Sequence, residues 1–185
     1  MATNDYKNRK VITGKVRFSY LHVFEPVQAE GSDTAKYSVS LIIDKKDKKT
    51  LDAVNAAIAV AKEALRMKSG GKIPATAKFP LRDGDEKGDE AYEGSYYFTA
   101  SSITRPGIVD RNRQPIINPE EIYSGCYGLA SINFYPFVKP MSCGVACWLN
   151  NLLKLSDGDP LDGRCSAETD FADAQIPVDD DDDLM

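Results

Sequence analysis

The chain has 185 residues, 42% of them hydrophobic and 28% charged, enough to close a sizeable core, and no apolar run approaches the ~20 residues that would span a bilayer. Its formal charge of −5 is unevenly spread: eight acids and no base follow Arg164, so residues 1–164 carry 23 − 20 = +3. A mildly basic body with a strongly acidic end fits a nucleic-acid protein with an interaction tail, and an amino terminus (MATNDYKNRK) without the apolar stretch of a signal peptide fits a soluble, cytoplasmic one.

Residues 11–24, VITGKVRFSYLHVF, alternate as a long first strand. Val16, Phe18 and Tyr20 fall on one side, Lys15, Arg17 and Ser19 on the other, and Glu25-Pro26 is the expected end. A second strand follows at residues 36–43, where Tyr37, Val39, Leu41 and Ile43 share a face. From Asp47 the period becomes helical: Leu51, Val54, Ile58, Ala61 and Leu65 form one stripe, Asp47 or Thr50 can cap it, and Ser69-Gly70-Gly71 stops it. Lys45, Lys46, Lys48 and Lys49 could grip phosphates, but a solvated helix entrance is the better reading.

Residues 72–94 are rich in Pro, Gly and acid and read as a long irregular excursion. Asp83, Asp85 and Gly88 match a calcium loop only in part, because the fifth position is Lys87 and the twelfth, which should be Glu, is Gly94. A third strand at residues 96–103 sets Tyr96, Phe98 and Ala100 against Tyr97, Thr99 and Ser101. The loop TRPGIVDRNRQPI then carries Arg105, Arg111 and Arg113, either as a phosphate grip or as a merely soluble projection.

Residues 123–137, YSGCYGLASINFYPF, hold five aromatics in fifteen residues and no charge. Ala130, Ile132 and Phe134 alternate with Leu129, Ser131 and Asn133, so one face offers apolar groups to a core while Tyr135 and Phe137 need not be buried. Such a strand can serve as a stacking platform for bases. The last strand, GVACWLNNLLKL at residues 144–155, turns Val145, Cys147 and Leu149 one way and Ala146, Trp148 and Asn150 the other. Trp148 is core if its face is inward and a stacking ring if outward. From Ser156 the composition becomes too polar to order itself, and the last 15 to 20 residues are expected to be disordered.

The four cysteines, Cys126, Cys143, Cys147 and Cys165, do not pair into CxxC units and the chain has one histidine, His22, so no metal site or cofactor is expected. Cys126 and Cys147 read as reduced core residues. No GxSxG, HExxH or phosphate-loop element occurs, which argues against an enzyme. The acids Asp83, Asp85, Glu86, Asp89 and Glu90 would serve a carboxylate-metal nuclease only if a glycine-rich loop could hold them rigidly.

The motifs GKVRFSYLHVFEP, YSVSLIIDKKDKKTL, GGKIP, PLRDGDE, PGIVDRN, YSGCYG, SINFYPF, LNN, LSDGDPL and SAETDF together resemble those of the single-stranded DNA-binding proteins of tailed bacteriophages, over nearly the whole chain before the acidic end. The resemblance implies an OB-fold core, often dimeric, that coats single strands during phage DNA replication and recombination, in the host cytoplasm, and recruits replication proteins through an acidic tail. It places Phe137 where related proteins carry an aromatic implicated in DNA contact. The chain departs from the family at Leu129-Ala130, where a basic and a small apolar residue are more usual, and at Trp148, where glycine is common.

The expectation is therefore a mainly β protein with one main helix: an OB-fold-like barrel of five to six strands over residues 1–164 with a long irregular insertion, and an acidic, mostly disordered tail over 165–185. Arg17, Tyr97, Arg105, Arg111, Arg113, Tyr135, Phe137 and Trp148 are the candidate DNA contacts. Asp179, Asp180, Asp181, Asp182, Asp183, Leu184 and Met185 are the candidate partner-binding tail. An interaction or scaffold protein working through that tail is the alternative from another class.

Overall fold

Alternation along the chain becomes strand pairing in the computed structural model, which describes residues 8–163, 167–175 and 177. The strands are β1 (Lys10–Ile12), β2 (Val16–Gln28), β3 (Ala35–Asp44), β4 (Arg82–Asp83), β5 (Ser95–Ser102), β6 (Gly107–Val109), β7 (Tyr127–Lys139) and β8 (Ser142–Ser156), with one long helix, α1 (Lys48–Lys68). Neighbours run β7-β2-β3-β5-β8, and β8 pairs back onto β7, so these five strands form a ring. This is the expected OB-like arrangement, with β1, β4 and β6 as short additions at the edges.

The ring closes thinly. β2 meets β7 only at Val16↔Gly128 and Arg17↔Tyr127, and β5 meets β8, in parallel, only at Ser101↔Trp148. Below that last pair β5 and β8 part, and the segment around Lys78 enters the gap: its N–H donates to Cys143 O (2.9 Å) and its carbonyl accepts from Val145 N (2.9 Å).

Val39, Leu41, Ile43, Phe98, Ala100, Ile132, Phe134, Cys147 and Leu149 fill the interior, as the alternation requires. Helix α1 lays Leu51, Val54, Ala57, Ile58, Ala61 and Leu65 onto β1, β7 and β8. Asp47 is its cap, accepting from Thr50 N (3.2 Å), while Thr50 Oγ1 is used instead by Gly14 N (3.0 Å). Cys126, Cys143 and Cys147 are free and buried, and burial pushes the Cys147 thiol well up; Cys165 lies outside the described residues.

Three expectations are corrected. The first strand is not one piece and does not end at Glu25-Pro26: Lys10–Ile12 is a separate strand paired with β7, and β2 runs from Val16 to Gln28, its pairing with β3 irregular between His22 and Val27 so that Pro26, which has no N–H, stays off the ladder. Tyr20 does not share the inward face of Val16 and Phe18: the register slips between Ser19 and His22, and the ring is turned out, 58% exposed, while Ser19 is buried. Residues 72–94 are not irregular throughout. β4 pairs with β5, and two short 3₁₀ turns (Gly84–Glu86 and Glu90–Tyr92) follow.

That last segment forms an arm with its own fastenings. Lys45 Nζ sits 2.8 Å from Asp83 Oδ1 and 2.6 Å from Asp85 Oδ2, and Asp85 Oδ1 accepts from Gly94 N (2.7 Å). Tyr92 is buried, and its hydroxyl donates to Ser19 Oγ at 2.7 Å. A Cβ on Gly84 would lie 2.0 Å from Tyr92 O, so only glycine lets the two turns pack this closely.

Within residues 165–185, Ala167–Asp170 forms one helical turn. Asp179, Asp180, Asp181, Asp182, Asp183, Leu184 and Met185 lie outside the described residues.

Candidate nucleic-acid interface

The outward faces of β5, β7 and β8 gather the four candidate aromatics. β7 and β8 pair antiparallel with Asn133↔Trp148, Tyr135↔Ala146 and Phe137↔Gly144, so Tyr135, Phe137 and Trp148 all project on the side away from the buried Phe134, Val145 and Cys147. Trp148 is thus on the outer face and half-buried, its ring centroid 6.4 Å from that of Tyr135 at 70°. Edge-to-face packing of this kind fixes both rings while leaving ring surface uncovered. Burial raises the Tyr135 hydroxyl above its ordinary pKa, so it stays protonated and able to donate.

Tyr97, outward on β5, lines a groove of about 250 Å³ whose opposite wall includes Ala146, the pairing partner of Tyr135. The groove exists because β5 and β8 diverge below Ser101↔Trp148, and its walls include Lys78, Phe79, Arg82, Tyr97, Thr99 and Ala146. Lys62 of α1 reaches over Phe79, Nζ 4.4 Å from the ring centroid. The groove thus combines rings with cations, and no carboxylate lines it. A single strand can be served there by stacking at its bases and charge along its backbone.

The four arginines are placed differently. Arg17 is held by carbonyls, Nε donating to Gly125 O (3.0 Å) and Nη2 to Asp159 O (2.7 Å), with its guanidinium 5.4 Å from the Tyr127 ring. Arg105 stacks on Phe24 at 5.1 Å. Arg111 and Arg113 are exposed on the turn after β6, which Asp110 builds by accepting from Asn112 N (2.8 Å) and Gln114 N (3.0 Å). Arg113 lies beside Leu129 and Leu153, and Leu129 and Phe137 are about 27 Å apart along β7. The structure therefore brings the four aromatics to one face and leaves Arg111 and Arg113 away from it, while Arg105 falls between the pairings Ser101↔Trp148 and Gly107↔Asn151.

Lys78, Phe79 and Arg82, which line the groove, and Lys62, which reaches over Phe79, do not stand out in the sequence. The one available signal was KFPLR, rings and cations interleaved inside the excursion.

The motifs that carried the family resemblance clasp each other behind this face. Gly125, at φ 119°, donates its N–H to Phe18 O (2.8 Å), and a Cβ there would lie 2.1 Å from Asp159 O. Tyr123 Oη donates to Asp157 Oδ1 (3.0 Å) and accepts from Gly158 N (3.2 Å), and Leu161 N donates to Ser124 O (3.0 Å). YSGCYG and LSDGDPL are thus two halves of one structural lock.

Of the acids that a nuclease would need, Asp83 and Asp85 pair with Lys45 and Asp89 accepts from Ala91 N (3.0 Å). Asp83 and Asp85 are held below the usual carboxylate range, first by the Lys45 hydrogen bonds. Among the described residues no group of three or more His, Cys, Asp or Glu is arranged to hold a metal ion, and no helix is long and apolar enough to cross a membrane.

Over residues 9–185 the chain matches the family model described as "Enterobacter phage Enc34, ssDNA-binding protein". It is 31% identical over 164 residues, 83% of this chain and 87% of the relative, to "Putative protein p50" of Acyrthosiphon pisum secondary endosymbiont phage 1. Among solved structures it is similar to the single-stranded DNA-binding protein from bacteriophage Enc34 in complex with ssDNA, at 24% identity and a TM-score of 0.73, covering 84% of this chain and 91% of that one. It is also similar to the single-stranded DNA-binding protein encoded by bacteriophage T7, at 14% identity and a TM-score of 0.62, covering 90% and 94%. At these identities the two structures establish the shared fold, and with the family match the resemblance noted from the motifs holds: the chain belongs to the Enc34 phage single-stranded DNA-binding protein family.

Proposed function

We propose that this chain binds single-stranded DNA along the outer face of β5, β8 and β7, with Tyr97, Tyr135, Phe137 and Trp148 stacking on bases and Lys62, Lys78 and Arg82 following the backbone. The observation that carries this reading is a groove lined by Tyr97, Phe79 and cations and free of carboxylates, beside the outer face from which Tyr135, Phe137 and Trp148 project. Ring faces accept any base, so binding is sequence-tolerant. The protein is not an enzyme, its family being one of single-stranded DNA-binding proteins.

In this reading it coats single strands during phage DNA replication and recombination in the host cytoplasm, as a monomer or a homodimer. Its acidic end, Asp179 to Met185, recruits replication proteins. The loop arginines Arg105, Arg111 and Arg113 serve a longer strand that leaves the groove, and Arg17 acts on the nucleic acid only through the segment it holds.

Titration of Trp148 fluorescence with oligo-dT, with and without magnesium, tests the reading. Quenching that saturates without cleavage is expected. A protein that works only as a scaffold gives no quenching, and a nuclease gives cleavage with magnesium.

A further inference from the structure

Tyr20 is held at φ 46°, a backbone region that is costly for a bulky side chain. The slip in register between Ser19 and His22 puts it there and turns its ring out of the barrel. An exposed aromatic kept in a strained conformation contributes nothing to the core, so its use lies outside. Its neighbour is Lys87, whose Nζ is 5.3 Å from the Tyr20 ring centroid, 4.8 Å from Tyr92 and 5.2 Å from Tyr97.

Lys87 sits on the arm, beside the staple in which Lys45 neutralises Asp83 and Asp85. It makes no ion pair itself among the described residues. Three rings aim its ammonium while leaving its charge unneutralised. Tyr97 connects this cluster to the groove, since its ring packs edge-on against Tyr92 (4.9 Å, 78°) and also lines the groove opposite Ala146. A cleft of about 350 Å³ beside Tyr20 has Asp89 in its wall, a carboxylate that disfavours phosphate there.

We propose that Tyr20 and Lys87 form a second nucleotide subsite, in which Tyr20 stacks on a base and Lys87 takes the adjoining phosphate of a strand that has crossed Tyr97 from the groove. The inference rests on the reading that the groove binds single strands. It gives the strained backbone at Tyr20 a use, and it assigns the arm the job of aiming a cation.

Full-length Tyr20→Ala, Tyr20→Phe, Lys87→Gln and Lys87→Arg are titrated with a twelve-nucleotide oligo-dT over a salt series, reading Trp148 quenching. Tyr20→Ala is expected to weaken binding by roughly five- to a hundredfold, the range of one lost base–ring stack, while Tyr20→Phe stays near wild type. Lys87→Gln is expected to make the slope of log K against log salt shallower by about 0.7, the value for one phosphate contact on a single strand, and Lys87→Arg to restore it. Wild-type quenching with unchanged affinity in Tyr20→Ala and unchanged slope in Lys87→Gln overturns the subsite and leaves the groove standing. A wild-type protein that shows no quenching overturns the groove itself. A Lys87→Gln protein whose arm loses hydrogen-exchange protection with no change in salt slope shows that Lys87 only fastens the arm, which also overturns the subsite.

Discussion

Removing one oxygen from Tyr92 tests whether the arm is anchored as described. Tyr92 is 1% exposed and Ser19 4%, and the 2.7 Å bond between their hydroxyls joins the arm to β2. Tyr92→Phe keeps the ring, its burial and its contact with Tyr97, and strands the Ser19 hydroxyl without its donor. Leaving a buried hydroxyl unsatisfied costs about 1–3 kcal/mol, whereas removing both partners of a buried bond can be nearly neutral. Tyr92→Phe should therefore destabilise by about 1–3 kcal/mol, and Tyr92→Phe combined with Ser19→Ala by distinctly less than the sum of the two single changes. Urea unfolding measures this, with the midpoint falling at constant slope because the surface exposed on unfolding is the same. At about 2–4 °C per kcal/mol for a chain of this size, melting should drop by roughly 2–12 °C. A loss below about 0.5 kcal/mol, or single changes that add without coupling, would refute the idea that this bond ties the arm to the barrel.

Three further outcomes are expected. The folded-state pKa values of Asp83 and Asp85 are depressed by Lys45, so their contribution is present above the ordinary carboxylate range near 4 and is lost as pH falls through the depressed values. Amide exchange at Gly94 should accelerate there before the barrel opens, and Lys45→Met should abolish that pH dependence. Gly84→Ala places a methyl 2.0 Å from Tyr92 O and 2.6 Å from Ser95 O, so it should displace the arm and lower the urea midpoint by more than Gly88→Ala, which meets no atom within 4 Å and bears only the cost of its φ of 76°. Phe137→Ala should weaken oligo-dT binding by about 1–3 kcal/mol with little change in melting temperature, because the ring lies outward and only half-buried on β7.

What could be read from the sequence was whatever is encoded by local period. Val39, Leu41 and Ile43 alternate, Leu51 to Leu65 repeat helically, and both patterns appear in the fold because burial on one face of a regular element leaves a local signature. The outward placement of Tyr135 and Phe137 followed from the same parity, whereas which face of β8 carries Trp148 outward was decided only by its pairing with β7. Features set by distant partners were not legible. Arg17 looked like any exposed basic residue, but its partners are Gly125 and Asp159, 108 and 142 residues away. Tyr20 was assigned inward because alternation assumes an unbroken ladder, and one extra residue in β2 reversed it. The acidic excursion looked irregular because its order comes from Lys45, on the other side of α1 in sequence, and from Ser19.

Ultraviolet cross-linking of the full chain to oligo-dT, with the modified residues located by mass spectrometry, bears most directly on the claim that the outer face of β5, β8 and β7 receives the strand. Cross-links at Tyr97, Tyr135, Phe137 or Trp148 that unlabelled single-stranded DNA competes away are expected. Competable cross-links confined to other surfaces, such as the exposed side of α1 or the turn carrying Arg111 and Arg113, would contradict it.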